Sequence, residues 1–246
     1  MVPFNAMKAS APLTALSLCI ACPVVANFQE DIQWGVESVT GYRSGYVYRG
    51  FELSESTMDF QVEAEIALNN HVFLSLGSWF ATESGEGNYD ESGVLAHLRW
   101  EQNDQLTLGI RATYRNFNHS SSPLSVIFKD GVDLGSFATW EFNDDLNATA
   151  GAYYDFGAEA WYGNAETQWS KALSSKTFIS LNTGMSYVDN YYGRNGMNDA
   201  YGRLSLTHHL SDTVSLTPFI GGSLLLDGED SGDDQAFAGM WFEVRF

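Results

Sequence analysis

Cysteine, proline and basic residues are all scarce in this chain of 246 residues. Its two cysteines, Cys19 and Cys22, both lie within the first 26 residues, so the remainder can form no disulfide bond. The 12 Lys and Arg residues stand against 31 Asp and Glu residues, for a formal net charge of -19. Such a surface repels phosphate, and we therefore expect no nucleic-acid partner.

Long apolar runs are missing as well, which excludes a helical membrane protein. The one short candidate is LTALSLCIACPVVA, which follows Lys8 and ends in small residues. It is shorter than the roughly 20 apolar residues of a spanning helix and has the order of a secretory signal. We predict a signal peptide over 1–26, cleaved after Ala26, with translation starting at Met1 or Met7. A lipoprotein acceptor at Cys22 is the alternative.

Apolar and polar residues alternate with a period of two along the rest of the chain, as in β-strands with two different faces. In MDFQVEAEIAL, Phe60, Val62 and Ile66 lie on one face, whereas Glu63 and Glu65 lie on the other. We count twelve such segments: 32–43, 58–68, 71–82, 91–101, 105–117, 132–142, 146–156, 160–171, 177–188, 199–210, 213–225 and 235–246.

The connections between these segments alternate between short and long. Short ones include Asn69-Asn70 and Ser211-Asp212, and long ones include SGYVYRGFELSEST and DGEDSGDD. Tight turns at one edge and longer loops at the other are typical of bacterial outer-membrane barrels. Because an open sheet would leave unpaired backbone groups in hydrocarbon, the strands must close into a ring. We predict that 27–246 forms a 12-stranded antiparallel transmembrane β-barrel.

Charge on the polar face indicates that this face lines a lumen. A soluble barrel would instead turn its apolar face inward. Charged and small residues suit a crowded or water-filled lumen better than an exposed soluble surface. The candidate lumen-lining residues are Glu37, Arg43, Glu63, Glu65, Arg99, Arg111, Glu141, Glu166, Arg203 and Glu243.

Large aromatics stand at both ends of the apolar face, as expected at the two interfaces of a bilayer. Trp34, Trp100 and Phe246 lie near the short-turn edge, and Phe80 and Trp161 lie near the long-loop edge. Together with the export signal, these belts favour the outer membrane over a secreted soluble barrel or sandwich.

The stretch SGYVYRGFELSESTMDFQVEAEIAL resembles the TorF-like family of porins of the bacterial outer membrane. The matching positions are Tyr46, Tyr48, Arg49, Gly50 and Ser54. The terminal WFEVRF also resembles the signal read by the barrel-assembly machinery. The resemblance implies an outer-membrane location and a barrel fold, and says little about the solute. From the residues themselves, we expect Arg49 to pair with a lumen carboxylate and pin the first long loop, with Gly50 at positive φ.

Four features invite a chemical role, and for each the simpler interpretation is preferred. Glu63 and Glu65 are expected to pair with Arg43, Arg99 or Arg111 rather than to act as acid and base. The adjacent His208 and His209 point to opposite faces and cannot share a metal. The acidic loop 227–234 lacks the distal Glu of a calcium loop. His119 beside Ser120–Ser122 has no third group, so no catalytic residue, metal or cofactor is expected.

These patterns predict a small porin or diffusion channel for ions or small polar solutes. Acidic loops and mixed lumen charges favour cations or neutral solutes over acidic oligosaccharides. The alternative is a non-conducting structural or adhesive barrel, and an outer-membrane hydrolase is the third class. Expected partners are outer-membrane lipid, lipopolysaccharide, small solutes and, through Phe246, the barrel-assembly machinery. The loop 118–131 is a candidate constriction because of its apolar SVIF run.

Overall fold

The computed structural model describes residues 33–119, 128–226 and 233–246. The predicted signal peptide over 1–26, with both cysteines, lies outside the described residues. The described part consists of strands and their connections.

Twelve of the fourteen described strands form one closed antiparallel barrel, and the remaining two, β2 and β3, pair only with each other. This confirms the predicted 12-stranded architecture. The strands are β1 (Trp34–Arg43), β2 (Tyr46–Tyr48), β3 (Phe51–Ser54), β4 (Thr57–Asn69), β5 (Val72–Glu83), β6 (Tyr89–Glu101), β7 (Leu106–His119), β8 (Gly131–Asn143), β9 (Leu146–Asp155), β10 (Ala160–Ala172), β11 (Thr177–Tyr191), β12 (Arg194–His209), β13 (Val214–Leu225) and β14 (Gln235–Arg245).

The barrel closes between its first and last strands. In this seam Thr40 pairs with Phe242, and the backbone N–H of Phe246 donates to the carbonyl of Val36 at 2.8 Å. Closure pairs backbone groups that an open edge would leave without partners. Phe246 therefore takes part in the seam that completes the ring.

The apolar face is the outer one. Predicted belt residues such as Trp34 and Phe246 are 57% and 63% exposed, and apolar side chains such as Leu76 and Ile220 lie exposed between the belts. A continuous exposed apolar band between aromatic girdles is the lipid-facing surface of an outer-membrane barrel. The barrel accordingly has the fold and surface of a protein of the outer membrane. No helix in the described residues is long and apolar enough to cross a membrane.

Two connections differ from the sequence-based expectation. The stretch 44–57, expected to be a loop, contains the β2–β3 hairpin. The stretch 189–198, also expected to be a loop, is mostly strand, because β11 and β12 continue to a tight turn at Tyr192 and Gly193. Register shifts between Met185 and Tyr191 interrupt the period of two, so the alternation that marks a strand is lost there although the pairing continues.

Candidate functional site: a hairpin folded into the lumen

The β2–β3 hairpin turns on two residues with positive φ. Arg49 has φ of 50° and Gly50 has φ of 77°, and the strands close around them with Tyr48 opposite Phe51. Two consecutive positive φ values characterise the tight hairpin turn whose twist matches that of the strands. A Cβ added at Gly50 would lie 2.9 Å from Arg194 Nη1, so a larger residue would have to displace that side chain as well as adopt a left-handed conformation.

Arg49 fixes the tip of the hairpin to the opposite barrel wall. Its guanidinium is ion-paired with Asp133 of β8, and Nη1 lies 3.3 Å from Asp155 Oδ2 of β9. Nη1 also donates to the Tyr191 hydroxyl of β11 at 3.1 Å, and that hydroxyl donates to Asp155 at 2.9 Å. The Arg49 side chain is 6% exposed and lies over the Tyr162 ring. Arg49 is thus a buried cation held by two carboxylates, and it anchors the first long loop, 44–57, as expected from the sequence.

Glu91 of β6 holds the base of the hairpin. The residue is 1% exposed, and its carboxylate accepts hydrogen bonds from the hydroxyls of Tyr46 at 2.6 Å and Tyr89 at 2.7 Å. Trp79 Nε1 donates to it at 2.9 Å, and Arg115 forms an ion pair with it. A carboxylate that accepts several charge-assisted hydrogen bonds inside the barrel orients all of its donors.

The hairpin packs into an aromatic core inside the barrel rather than into solvent. Phe51 and Leu53 are buried against Tyr191 and Val188, both of which are 0% exposed. The Arg194 guanidinium lies 3.5 Å above the Phe51 ring. Phe51 and Leu53 thereby occupy space inside the barrel next to Tyr191 and Val188. The hairpin thus narrows the long-loop half of the lumen.

Residues of β12 complete the contact around the tip. Asn198 Nδ2 donates to the backbone carbonyl of Arg49 at 2.9 Å and to Ser186 Oγ at 3.0 Å. Asp199 accepts from Ser223 Oγ at 2.8 Å and contacts Ser186. Tyr48 of the hairpin is half-buried near the rings of Phe117 and Phe128, and this burial raises the pKa of its phenol. The tip is therefore held by β8, β9, β11 and β12 together.

A cavity of about 250 Å³ lies next to the hairpin inside the barrel. Arginines and aromatic side chains dominate its lining, with aspartates among them. The lining includes Arg43, Arg111, Arg115, Arg203, Asp59, Trp79, Phe219 and Trp241. The arrangement provides an interior of mixed charged and aromatic walls that the hairpin covers on one side.

Several predicted lumen residues form ion pairs along the inner face. Arg99 Nη2 lies 3.3 Å from Glu65 Oε1, and Arg245 Nε lies 3.4 Å from Glu37 Oε1. Arg43, expected to be a partner of the Glu63–Glu65 pair, is instead ion-paired with Asp59. The reason is register: Arg43 is opposite Thr57 on β4, beyond the reach of Glu63 and next to Asp59.

The other predicted lumen residues make hydrogen bonds or ring contacts. Glu63 accepts from Gln61 Nε2 at 3.3 Å, Glu166 accepts from the Tyr201 hydroxyl at 3.1 Å, and Glu243 accepts from Ser215 Oγ at 2.8 Å. In addition, Arg111 lies 5.9 Å from the Phe137 ring centroid, Arg203 lies 4.3 Å from that of Trp241, and Glu141 is half-buried near a short turn. That these residues line a transport path stays a prediction.

The candidate list from the sequence omitted the residues that hold the hairpin. The alternation of the strands would have identified three of them. Each lies an even number of residues from a predicted lumen residue of its own strand, and so on the same face: Glu91 with Arg99, Arg115 with Arg111 and Asp133 with Glu141. Arg194 and Asn198 fell in a stretch taken for a loop. Their role follows only from the three-dimensional contact with β2–β3.

The structure describes the two adjacent histidines and only part of the other chemical candidates. His209 lies on the inner face against Phe178, whereas His208 is exposed and contacts Thr177. No group of three or more His, Cys, Asp or Glu side chains in the described residues has metal-binding geometry. Ser120–Ser122, the His119 side chain and most of the acidic loop 227–234 lie outside the described residues.

The candidate constriction 118–131 is only partly described. Its Phe128 is 4% exposed and packs 5.3 Å from the Phe51 ring, and Lys129 N–H donates to the Tyr192 hydroxyl at 2.9 Å. Residues 120–127 lie outside the described residues. The observed inward element is the hairpin, and Phe128 packs against it.

The fold is shared with solved outer-membrane barrels. The KdgM porin matches 86% of this chain and 99% of its own at 10% identity, with a TM-score of 0.56. The COG4313 outer-membrane channel from Pseudomonas putida F1 matches 86% and 95% at 12% identity, with a TM-score of 0.57. The translocator domain of the autotransporter NalP from Neisseria meningitidis matches 89% of each chain at 12% identity, with a TM-score of 0.55. No family model and no curated protein matches the sequence.

At such low identity these similarities show the fold alone. A porin, a channel and an autotransporter translocator share it, so the fold is compatible with several tasks. The resemblance to the TorF-like family stays a prediction.

Proposed function

We propose that this chain is a small diffusion channel of the bacterial outer membrane for ions or small polar solutes, with its lumen narrowed by the β2–β3 hairpin. The observation that carries the proposal is the cavity lined by charged and aromatic side chains beside an inward hairpin pinned by Arg49. Eight strands leave a filled interior and sixteen or more leave a wide channel, so twelve strands suit a narrow one. The neighbouring porin and channel structures support the same class.

The motif shared with the TorF-like family supports membership of that family as part of this proposal. Tyr46, Tyr48, Arg49 and Gly50 are the residues that build the hairpin and its turn. The motif thus has a physical role in narrowing a barrel. The outer face, with exposed aromatics at both ends, suits contact with lipid and lipopolysaccharide.

Single-channel recording in planar bilayers tests the channel. The wild-type barrel is compared with a variant in which residues 46–54 are replaced by a short Gly-Ser linker. Folding of both is checked by heat-modifiable migration on a gel. We expect discrete events from the wild type and a several-fold larger conductance from the variant, because the hairpin fills part of the cross-section.

Each alternative has its own signature in this experiment. A lack of events from folded protein of both forms would contradict the channel and favour a non-conducting structural or adhesive barrel. Equal conductance of both forms would show that the hairpin is not the constriction. Hydrolysis of outer-membrane lipid or of peptide, abolished by substitution of one Ser or His, would favour an outer-membrane hydrolase.

A further inference from the structure

Three N–H donors at one place in the lumen have no hydrogen-bond acceptor among the residues that the structure describes. They are Arg203 Nε of β12, Asn182 Nδ2 of β11 and Trp241 Nε1 of β14. All three side chains line the cavity beside the hairpin. Asn182 is 4% exposed and Trp241 is 5% exposed, so their orphaned donors are removed from bulk water. A buried donor without an acceptor costs free energy, which a bound acceptor would recover.

Strand pairing and ring stacking hold these donors together. Asn182 is the direct register partner of Arg203, so their side chains are neighbours on the inner face. The Arg203 guanidinium lies 4.3 Å from the Trp241 ring centroid, and Trp241 stacks on Phe219 at 4.0 Å. The flat face of the Arg203 guanidinium therefore lies on the Trp241 ring, and the N–H groups at the edge of the guanidinium can bind a ligand.

Arg203 makes no ion pair with any described residue, whereas three other arginines of this cavity do. Glu166 and Glu243 attract Arg203 only from a longer range, and Arg43 repels it. The paired arginines are Arg43 with Asp59, Arg49 with Asp133 and Arg115 with Glu91.

We propose that Arg203, Asn182 and Trp241 form a binding site for the carboxylate group of a small solute. A guanidinium fork matches the two oxygens of a carboxylate, and the amide and indole N–H groups supply further donors. The nearby negative charges of Glu166 and Glu243 favour a monoanion over a phosphate dianion. The cavity of about 250 Å³ holds a molecule of a few heavy atoms, not an oligosaccharide.

This site changes the expected solute. The sequence favours cations or neutral solutes because acids outnumber bases, but that expectation counts charges without their pairing. Asp59, Asp133 and Asp199 of the cavity have partners, whereas Arg203 makes no ion pair within the described part of the chain. As a statement about what is transported, the inference rests on the proposed channel. Binding itself does not require conduction.

Saturation-transfer NMR on the folded barrel in nonionic detergent tests the site, with acetate as the probe and acetamide as its neutral analogue. We expect transfer to acetate and much less to acetamide. Arg203→Gln should weaken acetate binding by about tenfold or more, because a charge-assisted bidentate contact is lost. Lys176→Gln, in an exposed turn, removes the same charge outside the lumen and should leave binding unchanged.

Two further variants keep the test valid if Arg203→Gln does not fold. Arg203→Lys retains the charge without the fork, and Asn182→Ala removes one donor; both should weaken acetate binding. Equal binding by wild type and these variants, equal transfer to acetamide, or displacement of acetate by inorganic phosphate at lower concentration than by acetate itself would overturn the proposal. Acetate binding by a barrel without channel events would retain the site and end the channel proposal.

Discussion

Gly50 has both a positive φ and close neighbours around its Cα, and substitutions can separate the effects of these two features. It has φ of 77°, and an added Cβ would lie 2.9 Å from Arg194 Nη1 and 3.0 Å from Asn198 Nδ2. Gly193 has φ of 89° with nothing within 4 Å of an added Cβ. Both substitutions by alanine incur the left-handed strain of about 1 kcal/mol. Only Gly50→Ala must also displace the side chains around the hairpin tip.

We therefore expect Gly50→Ala to release the hairpin and Gly193→Ala to leave it docked. Limited proteolysis of the folded barrel measures the difference, because a released hairpin is cleaved within 44–57 and a docked one is protected. Equal protection of both variants would show that the tip tolerates the added methyl group.

Arg49 is a cation in a buried network, so its loss should be more severe than the loss of one contact. Arg49→Met leaves Asp133 and Asp155 facing each other without a cation. Breaking one side of such a buried pair costs about 3 kcal/mol or more. We expect the docked hairpin to be destabilised by that amount relative to the released one. The variant should then show increased cleavage within 44–57 and increased conductance.

A triple variant provides the control for this effect. Asp133→Asn and Asp155→Asn remove the orphaned charges, so adding them to Arg49→Met should recover part of the docking. If the triple variant is released as completely as Arg49→Met, the effect comes from lost packing of the arginine and not from uncompensated charge.

At the scale of elements, strands were predictable and the hairpin was not. Stretches such as MDFQVEAEIAL have a period of two because successive side chains of a strand point to opposite faces, one toward lipid and one toward the lumen. This pattern depends only on neighbouring residues, so it can be read from the sequence. The hairpin strands have three and four residues, too few for a period to appear. Arg49-Gly50 marked a turn, but the direction in which the turn folds depends on partners up to 149 residues away.

Candidate lumen residues were predictable for the same reason, and their pairing was not. Parity assigns Arg43 to the inner face, but choosing Asp59 over Glu63 as its partner requires the register of β1 against β4. In the same way, the lack of an ion pair at Arg203 among the described residues depends on where the neighbouring strands place their carboxylates. Composition reports the number of charges and not which of them remain available.

At the scale of the whole molecule, the last residue contributes little packing. Phe246 is 63% exposed on the outer face, and its backbone is what pairs with Val36. We propose that its ring is read by the barrel-assembly machinery. Deleting Phe246 should then reduce the amount of folded barrel in cells much more than it reduces refolding in detergent.

Phe142 is the matched control for that experiment. It is 55% exposed and lies near the same short-turn edge, but inside the chain. Phe142→Ala should leave assembly in cells nearly unchanged, as measured by the fraction that shows heat-modifiable migration. Equal amounts of folded barrel from the Phe246 deletion and the wild type would contradict a recognition role.

The position of the hairpin in the chain also imposes an order of events. The hairpin lies between the first two barrel strands, yet its tip contacts Asp133, Asp155 and Tyr191, which are 84, 106 and 142 residues away. Those partners do not face a lumen until the later strands have joined the ring. We therefore expect the hairpin to dock late in maturation, and in the proposed channel a newly closed barrel would have a wider lumen than the finished protein has.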